Sequence, residues 1–277
     1  MTATTAKRLS GSAEHPDPGL RATITAEWAK LRTAKAPRRN LVLGTVLGIA
    51  MSLLLSGLIA STFDEWSAGD KASFDPIVYP LSGSLLMAVF FVAASVGAVA
   101  PEYGTGMIRL TLTATPKRWR VLAAKAIVVT AAVSVASVVT VAGMILPSQA
   151  IFAAADMPSA GIGDGDLLRA LVLLVVTGPV FPVLAVAAAF LLRAAAASVT
   201  SVLALIFLPS MFGGVLPDWW QRNALSLLPG TASDSVSLGH LDDSPMYLHP
   251  VAAALVVAAW IAGAMIAAGL VLGRRDA

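Results

Sequence analysis

An all-α, polytopic membrane protein is the fold class that three observations in the sequence predict. Charged residues make up 13% of the 277 positions, against 57% hydrophobic, roughly half the charge of a soluble domain. Six apolar stretches, at 41–63, 80–100, 126–146, 170–192, 198–216 and 251–272, contain no Asp, Glu, Lys or Arg. The segments that join them alternate in charge, basic then acidic.

Each stretch has about the 20 residues that a helix needs to cross roughly 30 Å of hydrocarbon. Membrane-spanning strands would instead show polar–apolar alternation over about ten residues, and the sequence has none. Lys125 and Arg169 stand just outside two of the stretches, where long side chains are expected to snorkel to the headgroups. The sequence has no Cys, which leaves the redox compartment open.

Charge gives the orientation. Residues 1–40, 101–125, Arg193 and the 273–277 tail together hold 16 basic and 5 acidic residues, whereas the alternate loops 64–79, 147–169 and 217–250 hold 3 basic and 11 acidic. Basic residues mark the cytoplasmic side. The expected organisation is a cytoplasmic tail at 1–40, a six-helix membrane domain at 41–272 and a short cytoplasmic tail at 273–277, with both termini inside a bacterial plasma membrane.

Two motifs mislead. Arg38-Arg39 before an apolar run imitates an export signal, with Ile59-Ala60-Ser61 as a cleavage site. A signal core is only about 7–15 residues long, and five more spans follow this one. Gly161 to Asp166 imitates a phosphate or calcium loop, but it has no Lys and too few ligands, so a solvated outer loop is expected.

The chemistry that the sequence lacks narrows the function. No G-x-x-x-x-G-K-[ST] loop occurs, so no nucleotide site of that kind is expected in this chain. His15, His240 and His249 all lie outside the spans, which excludes an intramembrane metal cluster built on them. No Ser/His/Asp set falls on neighbouring spans. Without an ionisable residue inside the spans, proton coupling is unsupported. No catalytic residue, cofactor or metal is expected in this chain, and no nucleic-acid partner.

Two segments on the basic side carry recognisable patterns. Residues 20–35 read as one amphipathic helix, with Leu20, Ile24, Trp28 and Leu31 on an apolar face. Glu27, Lys30, Arg32 and their neighbours are expected on the polar side. Such a helix lies in the membrane interface, against lipid, as a passive anchor or a moving lever. The second segment starts where Pro101 is expected to end the second span. Gly104 and Gly106 permit a tight turn there, and 107–114 can form a short helix before Pro116. It suits docking to another protein, or resting on anionic lipid through Lys117, Arg118 and Arg120. If the segment is helical throughout, Glu102 and Arg109 share one face.

Glu27-Trp28-Ala29-Lys30-Leu31-Arg32 and Glu102-Tyr103-Gly104-Thr105-Gly106-Met107-Ile108-Arg109 resemble the permeases of type-2 ABC exporters of actinobacteria. Six spans and a long outer loop before the last match as well, so the likeness covers nearly the whole chain. It implies a transport subunit rather than an enzyme, working as a dimer with a second copy or a paralogue. A separate cytosolic ATP-binding subunit would hold ATP and magnesium. It also implies that Glu102, Tyr103, Thr105, Gly106 and Arg109 belong to the element that docks on that subunit, although many relatives have Arg where Gly104 stands. A membrane-embedded enzyme acting on lipid, or an energy-independent immunity protein, are the alternatives.

The outer loop 217–250 carries paired Trp219 and Trp220, suited to a membrane interface. After them comes a short apolar run, 224–230, which can dip into the bilayer if protein covers its backbone. Pro179, Pro182 and Pro209 imply kinked or broken spans. Gly44-x-x-x-Gly48 and Gly269-x-x-x-Gly273 permit close helix packing.

Overall fold

The structure is a computed structural model that describes residues 19–115, 117–213, 215–238 and 245–274. His15, Pro116 and His240 lie outside them. All the regular elements among these residues are helices. In chain order they are α1 (Leu20–Thr33), α2 (Lys35–Thr62), α3 (Ala68–Ala72), α4 (Ser84–Gly97), α5 (Ala100–Gly104), α6 (Met107–Ala114) and α7 (Arg118–Ala154). There follow α8 (Gly165–Thr177), α9 (Val180–Leu192), α10 (Ala195–Phe212), α11 (Asp218–Asn223), α12 (Pro229–Ser237) and α13 (Pro250–Arg274). Short 3-10 turns precede α3, α4 and α12.

Among the described residues, five helical stretches are long and apolar enough to cross a membrane: Lys35–Glu65, Tyr79–Gly104, Arg118–Ala154, Gly165–Leu192 and Pro250–Arg274. The apolar part of α10, Ala195–Leu208, is shorter. The outer surface of the bundle is itself apolar: Leu54 of α2, Val135 of α7 and Leu255 of α13 are 67%, 66% and 67% exposed. Contiguous apolar cover of this extent suits lipid, not water. The chain is an all-helical protein built for a membrane.

The helices α4 and α9 form the centre, where Phe91, Val92, Val96 and Phe190 are buried. The helix α2 packs on α4 and α7, and α13 and α10 pack on α9. The expected Gly44–Gly48 contact is present. A Cβ on Gly44 would lie 2.9 Å from Phe90 Cβ, and one on Gly83 would overlap the Gly48 carbonyl. Small residues here let backbones approach. At the other motif, a Cβ on Gly269 meets Leu122 at 3.6 Å, and one on Gly273 meets nothing.

The expected fourth span is divided. Residues 170–192 form two helices, α8 and α9, separated at Gly178 and Pro179. A Cβ on Gly178 would come within 2.6 Å of Ser137 Oγ of α7, so close packing holds the break where Pro179 removes a backbone donor. Pro182 sits in the first turn of α9, where a missing N–H costs nothing. By contrast, α10 runs through position 209 unbroken. The loop 161–166 is a helix cap, as Asp164 accepts a hydrogen bond from the Asp166 N–H at 2.9 Å.

The loop after α10 turns inward. Leu225 and Ser226 are buried, as is much of α12. Trp260 Nε1 of α13 donates to the Leu227 carbonyl at 2.8 Å. Protein thus covers the backbone of the 224–230 run, which an inward segment requires. Trp219 and Trp220 stay exposed on α11, edge to face at 5.2 Å.

Candidate functional site

At the end of the bundle where α1, α5, α6 and the start of α7 meet, four charged side chains converge. Local breaks in the chain position them. Ala34 adopts an extended conformation, so α1 ends at Thr33, and Pro37 falls in the first turn of α2, buried against Gly97. Val99 departs from helical geometry after α4. The helix α5 then starts at Ala100, so Pro101 opens a new helix rather than ending the span, an N-terminal role that proline suits. Gly106 is left-handed at φ 70, the conformation that favours glycine, and it turns the chain into α6.

These turns bring Glu27 of α1, Glu102 of α5 and Lys125 of α7 together. Lys125 Nζ lies 2.6 Å from Glu27 Oε2 and 2.8 Å from Glu102 Oε1, and it donates to the Ala98 carbonyl at 3.1 Å. Lys30 Nζ bridges the same acids, at 2.7 Å from Glu27 Oε1 and 3.1 Å from Glu102 Oε1. It also reaches Thr111 Oγ1 of α6 at 3.3 Å. Two acids and two bases make a neutral quartet. Lys125 is 3% and Glu27 4% exposed. Burying charges is tolerable only when they are paired and hydrogen-bonded like this. A cavity of about 250 Å³ adjoins the quartet.

Burial works against the Lys30 ammonium, but its hydrogen bond to Glu27 and the charges of Glu27 and Glu102 outweigh that and raise its pKa above the ordinary lysine value. Lys30 therefore stays charged throughout the neutral range.

Three expectations are corrected here. Lys125 does not snorkel to headgroups; it points into the protein, because two carboxylates wait there. The face that α1 buries carries Thr23 and Glu27, so Glu27 is not on the solvated side, while Trp28 is 40% exposed on the side left for lipid. Glu102 and Arg109 do not share a face: Gly106 puts them on separate helices, Glu102 nearly buried and Arg109 exposed.

The remaining sequence-derived residues divide in the same way. Tyr103 packs edge-on against Phe190 at 6.1 Å, and the Arg193 guanidinium lies 5.4 Å from its ring centre. This ties α5 to the corner between α9 and α10. The Thr105 hydroxyl donates to the Pro101 carbonyl at 2.8 Å, closing α5. Leu31 is half-buried and Arg32 exposed on α1. On α6, Ile108 and Leu112 face inward, while Met107 and Leu110 are 49% and 71% exposed beside Arg109.

Neither a family model nor a curated protein matches the chain. The site must therefore be read from its own geometry: a short helix with an outward apolar face, joined through a buried charge quartet to α1 and α7.

Sequence reasoning missed Lys125, Thr111 and the outward pair Met107 and Leu110. A signal for Lys125 was present. Glu27 and Glu102 are the two acids within the recognisable patterns on the basic side, and each needs a cation if it is buried. The i, i+3 spacing of Met107 and Leu110, out of phase with Ile108 and Leu112, marks a second apolar face on one short helix.

Proposed function

We propose that the chain is the permease subunit of an ATP-driven exporter, with six membrane crossings, both termini in the cytoplasm, and α5–α6 as the element that receives force from a separate ATP-binding subunit. The observation that carries this reading is the quartet. A displacement of α6 acts on Thr111 and Lys30, and through Glu27, Glu102 and Lys125 on both α1 and α7. Charge pairs in a low-dielectric pocket resist separation, so α1, α5 and α7 move together or not at all. The outward face of Met107, Leu110 and Arg109 supplies an apolar patch with an adjacent arginine, a residue type enriched among the contacts that dominate binding. A second copy or a paralogue completes the path, and the uncharged spans fit an amphipathic or lipid-like cargo.

The reading is tested with the purified chain in liposomes. Alone it neither hydrolyses ATP nor moves solute down a proton gradient, and with its ATP-binding subunit it does work on addition of ATP. Proton-driven transport by the chain alone would overturn the proposal.

A further inference from the structure

A second cavity, of about 340 Å³, opens in the other half of the bundle between α4, α7, α9 and α12. Its walls include Met87, Phe91, Met144, Phe181 and Ile206, with Tyr247 beside them. One carboxylate enters it, that of Asp234 on α12. This acid sits deep in the fold yet is open to the cavity. No hydrogen bond or ion pair reaches it among the described residues. The neighbouring hydroxyls are engaged elsewhere, Ser233 Oγ with the Pro229 carbonyl at 2.7 Å and Ser235 Oγ with the Thr231 carbonyl at 2.7 Å.

A carboxylate without a protein partner that opens into a chamber with mostly apolar walls attracts a cation, since opposite charges interact more strongly where the surroundings are of low dielectric. The volume lies within the range of small-molecule sites, roughly 300–1,000 Å³. Aromatic faces attract cations, and methionines adapt to varied apolar shapes. We infer that this cavity binds a lipophilic organic monocation, its apolar body against Met87, Phe91, Met144 and Phe181 and its charge at Asp234. The inference rests on the permease reading only where it makes such a cation the cargo; the binding site stands without it.

Burial pushes the Asp234 carboxyl up to about 6, so acid protonates it and should expel a cation. Other titratable groups on or next to the elements packed against α12 are Asp164, Asp166 and Arg169 at α8, Arg193 after α9, Arg222 before the 3-10 turn at 225–227, and His249 and Arg274 at the ends of α13. Of the titratable described residues only Tyr247 lines the cavity with Asp234.

Equilibrium dialysis of labelled tetraphenylphosphonium against the purified chain, without any ATP-binding subunit, tests the site. That probe keeps its charge at every pH, so any pH dependence belongs to the protein. Saturable binding is expected near pH 7.5, about tenfold or more weaker in Asp234→Asn and kept in Asp234→Glu. Wild-type binding should fall towards about pH 5, the acid side of the Asp234 midpoint, whereas Asp234→Asn should show no such fall. Equal affinity in wild type and Asp234→Asn, absence of saturable binding, or equally tight binding of the anion tetraphenylborate would overturn the inference. If Asp234→Asn does not fold, as judged by gel filtration, the wild-type pH profile and the phosphonium–borate comparison decide. The permease reading can fail in the liposome experiment while this one succeeds, and the reverse.

Discussion

Lys125 Nζ lies 2.6 Å from Glu27 Oε2 although 98 residues separate them in the chain. This contact fixes the N-terminal helix to the start of the longest helix, α7. At about 1.5 Å per residue, the 37 residues of α7 extend about 55 Å, enough to carry a movement from one end of the bundle to the other.

Removing one member leaves an uncompensated buried charge. Lys125→Met is expected to destabilise the protein by about 3–5 kcal/mol, seen as a lower unfolding midpoint in detergent. The double variant Glu27→Gln, Lys125→Gln keeps Lys30 with Glu102 and stays neutral, so it should lose less than Lys125→Met alone. A loss in the double variant equal to the sum of the losses in Glu27→Gln and Lys125→Gln alone would mean that the four side chains do not act as one unit.

Lys30 gives a pH dependence of definite sign. Its pKa is raised above 10.5 in the folded protein, so the stability it adds is complete below the unfolded value. It is lost as pH rises through the folded value. Wild type and Lys30→Gln should therefore differ by a constant amount between about pH 6 and 9 and converge only in stronger alkali. Convergence near neutrality would place Lys30 outside the quartet.

Gly106 and Gly104 should behave differently. A side chain at the left-handed Gly106 costs about 1–2 kcal/mol, so Gly106→Ala should lower the thermal midpoint. A Cβ on Gly104 meets nothing within 4 Å, and Gly104→Arg should fold normally. Circular dichroism melts compare the two directly.

The proposed orientation is open to labelling, and the chain has no Cys to remove. Ser159 and Thr113 are both exposed and at opposite ends of the bundle. An impermeant maleimide should label Ser159→Cys and spare Thr113→Cys in intact cells. The reverse pattern would invert the orientation.

The long apolar helices were legible because their signal is local: twenty uncharged residues in a row have few other destinations. The close approach at Gly44 and Gly48 was legible for the same reason. What the sequence hid depends on partners distant in the chain. Lys125 reads as a snorkelling residue until α1 brings Glu27 against it. The prolines at 179 and 182 announced a disturbance in the fourth span, but its division at Gly178 depends on Ser137 packing from α7. The inward course of α12, and with it the place of Asp234 on a cavity wall, depends on α8, α10 and α13 closing around it. No local pattern encodes that enclosure.

The proposed meeting of the outward face of α6 with an ATP-binding subunit can be read by photocrosslinking from that face. With a benzophenone amino acid in place of Leu110, irradiation of native membranes should join the chain to a protein with a nucleotide-binding loop, identified by mass spectrometry. The same probe in place of Leu168, exposed on α8 at the opposite end, should not. A crosslink from Leu110 to lipid alone, or the same ATP-binding protein captured from both positions, would contradict the account.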